Sequence, residues 1–141
     1  MAVRVRVAAI VMEGDRVLLV STKRGAPGYL VPPGGGLEAD ETIPGAIARE
    51  VAEEAGLAVE AGALLAYREL WHGAKRTLEL YLAARLLPGQ EQAPPTEGRT
   101  IAWVPCQELG QVPHFPEQLA DLCELARQPD SGAVYLGRVV I

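Results

Sequence analysis

The sequence predicts an α/β fold in which helices cover a mixed β-sheet, and three observations lead to this prediction. Segments with strand-like apolar patterns alternate along the chain with two segments of helical periodicity. Glycine and proline residues that favour turns separate these segments. The chain has 141 residues and is 49% hydrophobic, which suits a single core. We therefore expect residues 1–141 to form one domain.

Two strands begin the chain, and we expect them to form a hairpin. Residues 4–11 become continuously apolar, and residues 16–20 are apolar after one charged position. The Glu-Gly-Asp sequence at 13–15 favours a turn between them. Residues 22–28 are predicted to form a loop. The Pro-Pro-Gly-Gly-Gly segment at 32–36 is excluded from regular helix and from a central strand, because proline lacks an amide donor and glycine weakens strands.

The clearest helical pattern covers residues 43–55. Thr42 precedes it with a side chain that favours the N-cap position. Pro44 suits the first turn, where its missing amide hydrogen is not needed. Gly56 suits the C-terminal stop, because glycine adopts the left-handed conformation found there. A helix with defined ends is therefore predicted in this segment.

The second half of the chain combines strands with one further helix. The predicted elements are strands at 57–70, 77–86 and 101–104, a polar loop at 87–100 and a helix at 116–127. Residues 133–141 are too apolar for a solvated terminus. They are expected either to pair as an edge strand on their own sheet or to cross to a second subunit. We favour a homodimer to which this tail contributes.

The charge and composition exclude several classes of protein. The net charge is −5 and no long basic run occurs, which argues against binding of duplex nucleic acid. A small anionic ligand is compatible with this charge if a metal ion supplies the positive charge. No segment has the apolar length of a membrane span or of a signal peptide. Cys106 and Cys123 lie far apart and are expected to be reduced thiols. We therefore expect a cytoplasmic protein without a membrane partner.

Three glutamates share one face of the predicted helix. At about 100° per residue, Glu50, Glu53 and Glu54 project as neighbours. Like charges at these spacings destabilise a helix, and a solvated face normally intersperses cations. Arg49 is the only cation between residues 41 and 67, and it projects well round the helix from the centre of the acids. Clustered carboxylates suit a hard divalent ion such as Mg²⁺, whereas a solvated acidic face is the alternative.

Gly34, Gly35 and Gly36 precede this helix. Glycine allows the backbone to turn steeply and to come close to a ligand. The carbonyl oxygens of such a turn are also suitable ligands for the same divalent ion. A glycine-rich turn alone is common, but one that leads into an acidic helix favours a metal site.

Residues 35–57 read GGLEADETIPGAIAREVAEEAGL and resemble the Nudix box. The box consists of Gly, five residues, Glu, seven residues and then Arg-Glu-apolar-x-Glu-Glu-x-Gly-apolar. Its fixed positions are filled here by Gly35, Glu41, Arg49, Glu50, Val51, Glu53, Glu54, Gly56 and Leu57. The lead-in at 31–35 and the Trp-Val-Pro segment at 103–105 are also similar to the family. The resemblance implies a Nudix-type α-β-α sandwich, with a mixed sheet between helices.

The resemblance further implies a metal centre. Glu50, Glu53 and Glu54 would coordinate Mg²⁺ or Mn²⁺, and the Gly34 carbonyl would be a further ligand. The sequence alone does not assign the general base within this set.

Three other residues receive roles from the same resemblance. Arg49 would pair with a glutamate of the box and hold the carboxylates in place, and Glu41 would fix the geometry between loop and helix. Some family members use a further glutamate from a late loop as a metal ligand or general base. Glu97 is the candidate for that role and Glu91 the reserve, with a solvated loop acid as the alternative.

The implied activity is Mg²⁺-dependent hydrolysis of a phosphoanhydride bond in a nucleoside diphosphate linked to another moiety. A water molecule, activated by the metal or by a carboxylate, would attack phosphorus in line. Arg24 and Arg68 are candidates for phosphate contacts and Tyr67 for stacking on a base, with surface or packing roles as the alternative. Leu30 stands where many members have an aromatic residue, so the substrate is not predicted. A Nudix-like module that senses a nucleotide without hydrolysing it is the alternative function.

Overall fold

A computed structural model describes residues 2–22, 28–94 and 96–141. Its regular elements, in chain order, are β1 (Val3–Glu13), β2 (Arg16–Ser21), β3 (Leu30–Val31), β4 (Gly34–Gly36), α1 (Ile43–Ala55), β5 (Val59–His72), β6 (Lys75–Leu86), β7 (Ile101–Pro105), α2 (Leu119–Arg127) and β8 (Val134–Val140). Two short 3₁₀ helices, at Cys106–Gln111 and Pro129–Ser131, flank α2. The mixed α/β fold predicted from the sequence is confirmed.

The strands form a mixed sheet in the order β3-β2-β1-β6-β5-β8. β1 and β6 pair in parallel, as do β5 and β8, while β1–β2 and β5–β6 are antiparallel. β1 is long enough to pair with two different strands along the same edge. Its end pairs with β2, and its middle pairs with β4. β7 extends the sheet from β2.

Helices cover the two faces of the sheet, because successive residues of a strand point to opposite sides. The core under α1 includes Val7, Ala9, Val11, Ile47 and Val51. The core under α2 includes Ala8, Ile10, Leu65, Leu119 and Leu122. Because side chains alternate between the two faces along β1, Arg4 and Arg6 lie on the same side of the sheet.

Helix α1 has the bounds and ends that the sequence predicts. The Thr42 side chain accepts a hydrogen bond from the Gly45 amide at 3.1 Å. Gly56 ends the helix with a φ of 67°, and its amide donates to the Ala52 carbonyl. The local signals that predicted this helix are thus the contacts that terminate it.

Helix α2 begins at Leu119, three residues later than predicted. The segment before it is held in extended form against β3. Leu30 donates to the Pro113 carbonyl, and Phe115 donates to the Leu30 carbonyl. The chain therefore turns after Phe115 before it becomes helical. The glycines at 34–36 form a three-residue strand that pairs with β1, which the sequence did not predict.

The C-terminal tail forms β8, which pairs in parallel with β5 as the last strand of the sheet. This is the first of the two alternatives for the tail. Several of its apolar side chains remain exposed, namely Val134, Tyr135, Val140 and Ile141. Among the described residues, no helix is long and apolar enough to cross a membrane.

Candidate active site

A cavity of about 500 Å³ lies beside the glycine strand β4. Its lining includes carboxylates from α1 and from the loop after β6, and arginines from β1 and β5. We name the carboxylate cluster of Glu50, Glu53 and Glu97 the acidic wall; Glu50 and Glu97 line the cavity, and the Glu53 carboxylate lies beside theirs. We name the arginines Arg4, Arg6 and Arg68, which all line the cavity, the basic wall. The volume lies in the range of small-ligand sites.

The acidic wall brings three carboxylates together. Glu50, Glu53 and Glu97 each offer a carboxylate oxygen, and these atoms lie within 4.8 Å of one another. Glu50 is buried, and the other two are half-buried. Three oxygen donors at this spacing are the hard ligands that a divalent cation such as Mg²⁺ requires. The residues present therefore fit a divalent metal ion.

Glu97 reaches this wall because its loop docks on the C-terminal end of α1. The amides of Thr96 and Glu97 donate to the Glu53 carbonyl at 3.0 and 3.3 Å. The Ala93 amide donates to the Gly56 carbonyl at 2.9 Å. These bonds satisfy carbonyls that a helix end leaves without partners. A Cβ at Gly56 would lie 1.8 Å from the Ala93 carbonyl oxygen, so only glycine allows the loop this close.

Arg49 holds the acidic wall from the side. Its Nε donates to Glu41 at 2.6 Å, and its Nη1 lies 2.9 Å from Glu50 and 3.3 Å from Glu53. The hydrogen bond from Arg49 keeps the pKa of Glu41 below its usual value. Nη2 donates to the Gly36 carbonyl at 3.3 Å. The helical projection placed Arg49 away from the acids, but its long side chain reaches round the helix to them.

Glu54 is fully buried beside the three-carboxylate cluster, where it contacts Glu50. The Gly34 amide donates to its carboxyl at 3.2 Å, and Arg99 lies 3.0 Å from it. Burial raises the pKa of Glu54 to about 9. Arg99 also lies 3.1 Å from Glu97 and so connects the two carboxyl groups. The role of Glu54 as a metal ligand stays a prediction.

The basic wall was not recognised from the sequence, apart from Arg68. Arg6 lies 3.7 Å and Arg68 2.8 Å from Glu79, which is buried. The Tyr81 hydroxyl donates to Glu79, and burial raises the pKa of Tyr81. One signal was available in the sequence. Arg4 and Arg6 alternate with valines at the start of β1, which places both arginines on one face of the strand.

The glycine strand separates the two walls without side chains of its own. A Cβ at Gly35 would lie 2.4 Å from the Glu50 carboxylate. A Cβ at Gly36 would lie 2.7 Å from the Arg4 guanidinium. The two walls therefore meet at consecutive residues of one strand. A side chain at either position would displace one of these charged groups, so the glycines allow both groups to lie against the backbone.

Three further candidates differ in outcome. Tyr67 packs on Tyr135, with ring centroids 5.4 Å apart, and is not among the described residues that line the cavity. Glu91 is exposed. Arg24 lies outside the described residues. Of the two described residues predicted to contact substrate, Arg68 lines the cavity and Tyr67 does not.

Comparison with known proteins extends the likeness beyond the box. The model of the NUDIX domain matches residues 2–124. A Nudix hydrolase from Nitrosomonas europaea is 26% identical with a TM-score of 0.76, and the match covers 98% of this chain and 79% of that one. An ADP-ribose pyrophosphatase from Streptococcus suis is 22% identical with a TM-score of 0.72, covering 94% and 98%. The second likeness supports the fold alone.

Among curated proteins, diphosphoinositol polyphosphate phosphohydrolase 2 from Rattus norvegicus is 53% identical over 51 residues. That match covers 36% of this chain and 28% of the rat protein, so the chain spans less than a third of the relative's length. The domain model, by contrast, matches nearly the whole chain. On that match, the chain belongs to the Nudix hydrolase family.

Proposed function

We propose that the protein hydrolyses a phosphoanhydride bond in a nucleoside diphosphate linked to another moiety, in a reaction that depends on Mg²⁺ or Mn²⁺. The acidic wall carries this proposal, because its three carboxylates converge beside a cavity of about 500 Å³. The name of the rat relative describes a phosphohydrolase that acts on diphosphoinositol polyphosphate. It supports the same reaction class here.

Glu50, Glu53 and Glu97 would hold the metal ion through their carboxylate oxygens. The family resemblance adds Glu54 and the Gly34 carbonyl to this set. The bound ion supplies positive charge that neutralises the phosphoryl oxygens and the leaving phosphate. The other contributions to the reaction come from the protein's own side chains.

Phosphoanhydride cleavage needs positioning, charge neutralisation and a proton acceptor. A carboxylate of the acidic wall accepts the proton of the attacking water. Arg49 fixes Glu41, Glu50 and Glu53 in one arrangement. Arg68 lines the same cavity and attracts the anionic substrate.

The reaction is tested by incubating the full chain with nucleoside triphosphates, dinucleoside polyphosphates and nucleotide sugars. Products are separated by chromatography, with Mg²⁺ and with a chelator in parallel. We expect release of a nucleoside phosphate only with metal. The matched controls are Glu53→Gln, in the acidic wall, and Glu60→Gln, an exposed glutamate on β5 that pairs with Arg85. Turnover that survives in chelator, or no turnover in any class, overturns the proposal.

The alternative, a nucleotide-sensing module, has a distinct outcome in the same experiment. A nucleotide would then raise the melting temperature without being cleaved, because binding to the native state stabilises it. We favour hydrolysis because the fixed positions of the box are all filled.

The homodimer also remains a proposal. β8 ends the sheet, and Val140 and Ile141 on it are 69% and 67% exposed. Exposed edge strands and apolar side chains favour association with a second copy. Light scattering of the full chain and of a chain that ends at residue 132 tests this. A monomeric mass for both contradicts the dimer.

A further inference from the structure

We propose that the basic wall is a second anion subsite, which binds a phosphate group that the substrate carries beyond the cleaved diphosphate. The inference rests on the proposed function and narrows it to substrates with such an additional phosphate. It begins from three arginines of the sheet that line the same cavity as Glu50 and Glu97: Arg4, Arg6 and Arg68.

Strand pairing places these arginines in one group. In the parallel pair, Arg6 lies opposite Glu79, and in the antiparallel pair Arg68 lies opposite the same Glu79. Arg6, Glu79 and Arg68 therefore form a row across β1, β6 and β5. Arg4 is two residues before Arg6 on β1, so it lies on the same face. The group is built by the sheet and not by a mobile loop.

Among the described residues, the ion pairs of this group involve a single carboxylate. Glu79 is 2.8 Å from Arg68 and 3.7 Å from Arg6, and it also accepts a hydrogen bond from Tyr81. One carboxylate thus pairs with two of the guanidinium groups, and Arg4 adds a third positive charge on the same face of β1. Like charges side by side on a sheet destabilise it. An anionic ligand removes this repulsion, so the positive excess indicates a ligand of opposite charge.

The arrangement favours a phosphate over other anions. A phosphomonoester carries about −1.5 to −2 charges near neutral pH and has three oxygens that accept hydrogen bonds. Guanidinium groups present planar forks of donors that match such oxygens. A carboxylate has only two oxygens and one charge, which a single arginine satisfies. Arg4 and Arg6 are also accessible, since Arg4 is exposed and the Arg6 side chain is 41% exposed.

One ligand can reach both walls. Glu50 and Glu97 line the same cavity as the three arginines, and its volume is about 500 Å³. A cavity of this size accommodates a small ligand with several groups. The metal-binding carboxylates and the basic wall therefore contact different groups of the same molecule.

The first test compares substrates that differ by one phosphomonoester. NADH is compared with NADPH, and 3′-dephospho-coenzyme A with coenzyme A. We expect kcat/KM to favour the phosphorylated member of at least one pair by about tenfold, mainly through KM, as for charge-assisted hydrogen bonds. The double variant Arg4→Gln, Arg6→Gln should remove most of this preference. No preference in either pair, or an equal loss for both members in the variant, overturns the subsite.

The second test needs no turnover. Binding of inorganic tripolyphosphate is measured by calorimetry in chelator, where the acidic wall holds no cation. The double variant should bind about tenfold more weakly than the native chain. Arg85→Gln is the control, because Arg85 is 63% exposed and pairs with Glu60 outside the cavity. Equal binding by the native chain and the double variant overturns the subsite. If tripolyphosphate binds as expected and no substrate is cleaved, the proposed hydrolysis fails and the subsite stands.

Discussion

The two walls of the cavity are built in different ways. The acidic wall takes Glu50 and Glu53 from a single helix and adds Glu97 from a loop bonded to the end of that helix. The basic wall takes its arginines from β1 and β5, which are joined only through β6 between them. The first wall therefore depends mainly on local structure, and the second depends on the register of three strands.

The two walls also differ in the sign of the charges that repel one another and of the residues that restrain them. In the acidic wall, carboxylates repel one another and are restrained by Arg49 from one side. In the basic wall, guanidinium groups repel one another and are restrained by Glu79. Residues of opposite sign thus fix the geometry of each wall: Arg49 and Arg99 in the acidic wall, and Glu79 in the basic wall. Residual charge of both signs thus faces one cavity, as expected for a site that binds a cation together with an anion.

The largest effect is expected in the acidic wall. Glu53→Gln keeps the shape of the side chain and removes its charge. We expect kcat to fall by about a hundredfold or more, as when a group that stabilises the transition state is lost. Folding should survive, because Glu53 is half-buried and lies on the helix surface. Near-native turnover with a native circular dichroism spectrum would show that Glu53 has no part in the reaction.

Arg49→Ala tests whether one cation organises this wall. The change leaves Glu41, Glu50 and Glu53 without the partner that lies 2.6 to 3.3 Å from them. We expect activity to fall by roughly tenfold, together with a loss of about 1–3 kcal/mol in the free energy of unfolding. Urea denaturation and steady-state kinetics measure the two effects. A variant with native stability and native turnover would make Arg49 a surface residue only.

Gly56→Ala tests whether the loop that carries Glu97 depends on the end of α1. Gly73→Ala is a matched control, since both glycines have a positive φ, 67° and 59°, but only Gly56 meets the Ala93 carbonyl. The control should lose about 1 kcal/mol from backbone strain alone. Gly56→Ala should lose more and should also lower kcat by several fold. If both variants lose the same free energy of unfolding and kcat does not change, the position of the loop has no influence on the activity.

The helical part of the acidic wall, Glu50 and Glu53, could be predicted from sequence because its signals are local, whereas Glu97 was suggested by the family resemblance. Thr42 and Gly56 mark the ends of the helix, and the spacing of the glutamates gives their common face. The partnership of Arg99 with Glu54 could not be predicted, because a loop residue meets a helix residue 45 positions away. The register that joins Arg6 to Glu79 is likewise set by the pairing of distant strands.

The tail shows the same limit in another form. Its apolar composition indicated that it packs on something, but left its own sheet and a second subunit as alternatives. The structure pairs Val134–Val140 with β5. The apolar composition predicts that the tail is buried. It does not predict the partner of the tail, which depends on which edge of the sheet is free.

The pH dependence of stability gives a smaller effect, which comes from Glu54 beside the acidic wall. Burial raises the pKa of Glu54 from 4.5 to about 9. Between these values the folded protein holds more protons than the unfolded chain, so stability falls as pH rises through this window. In chelator, the melting temperature should therefore decrease from pH 5 towards pH 9. Glu54→Gln should flatten this dependence. The same slope in the variant would assign it to another group.

The smallest effect is expected in the basic wall, with Tyr81→Phe. The change removes the hydroxyl that donates to Glu79 and keeps the buried ring. The loss of one buried hydrogen bond should lower the free energy of unfolding by about 1 kcal/mol. Arg68 still bonds to Glu79 at 2.8 Å, so the row of charges should persist. We therefore expect kcat to stay near native and KM for a substrate with an additional phosphate to rise only two- to threefold, or about 0.5 kcal/mol. A large fall in kcat would contradict the assignment of the reaction to the acidic wall and of phosphate binding to the basic wall. Tyr81 would then act on the acidic wall across the glycine strand.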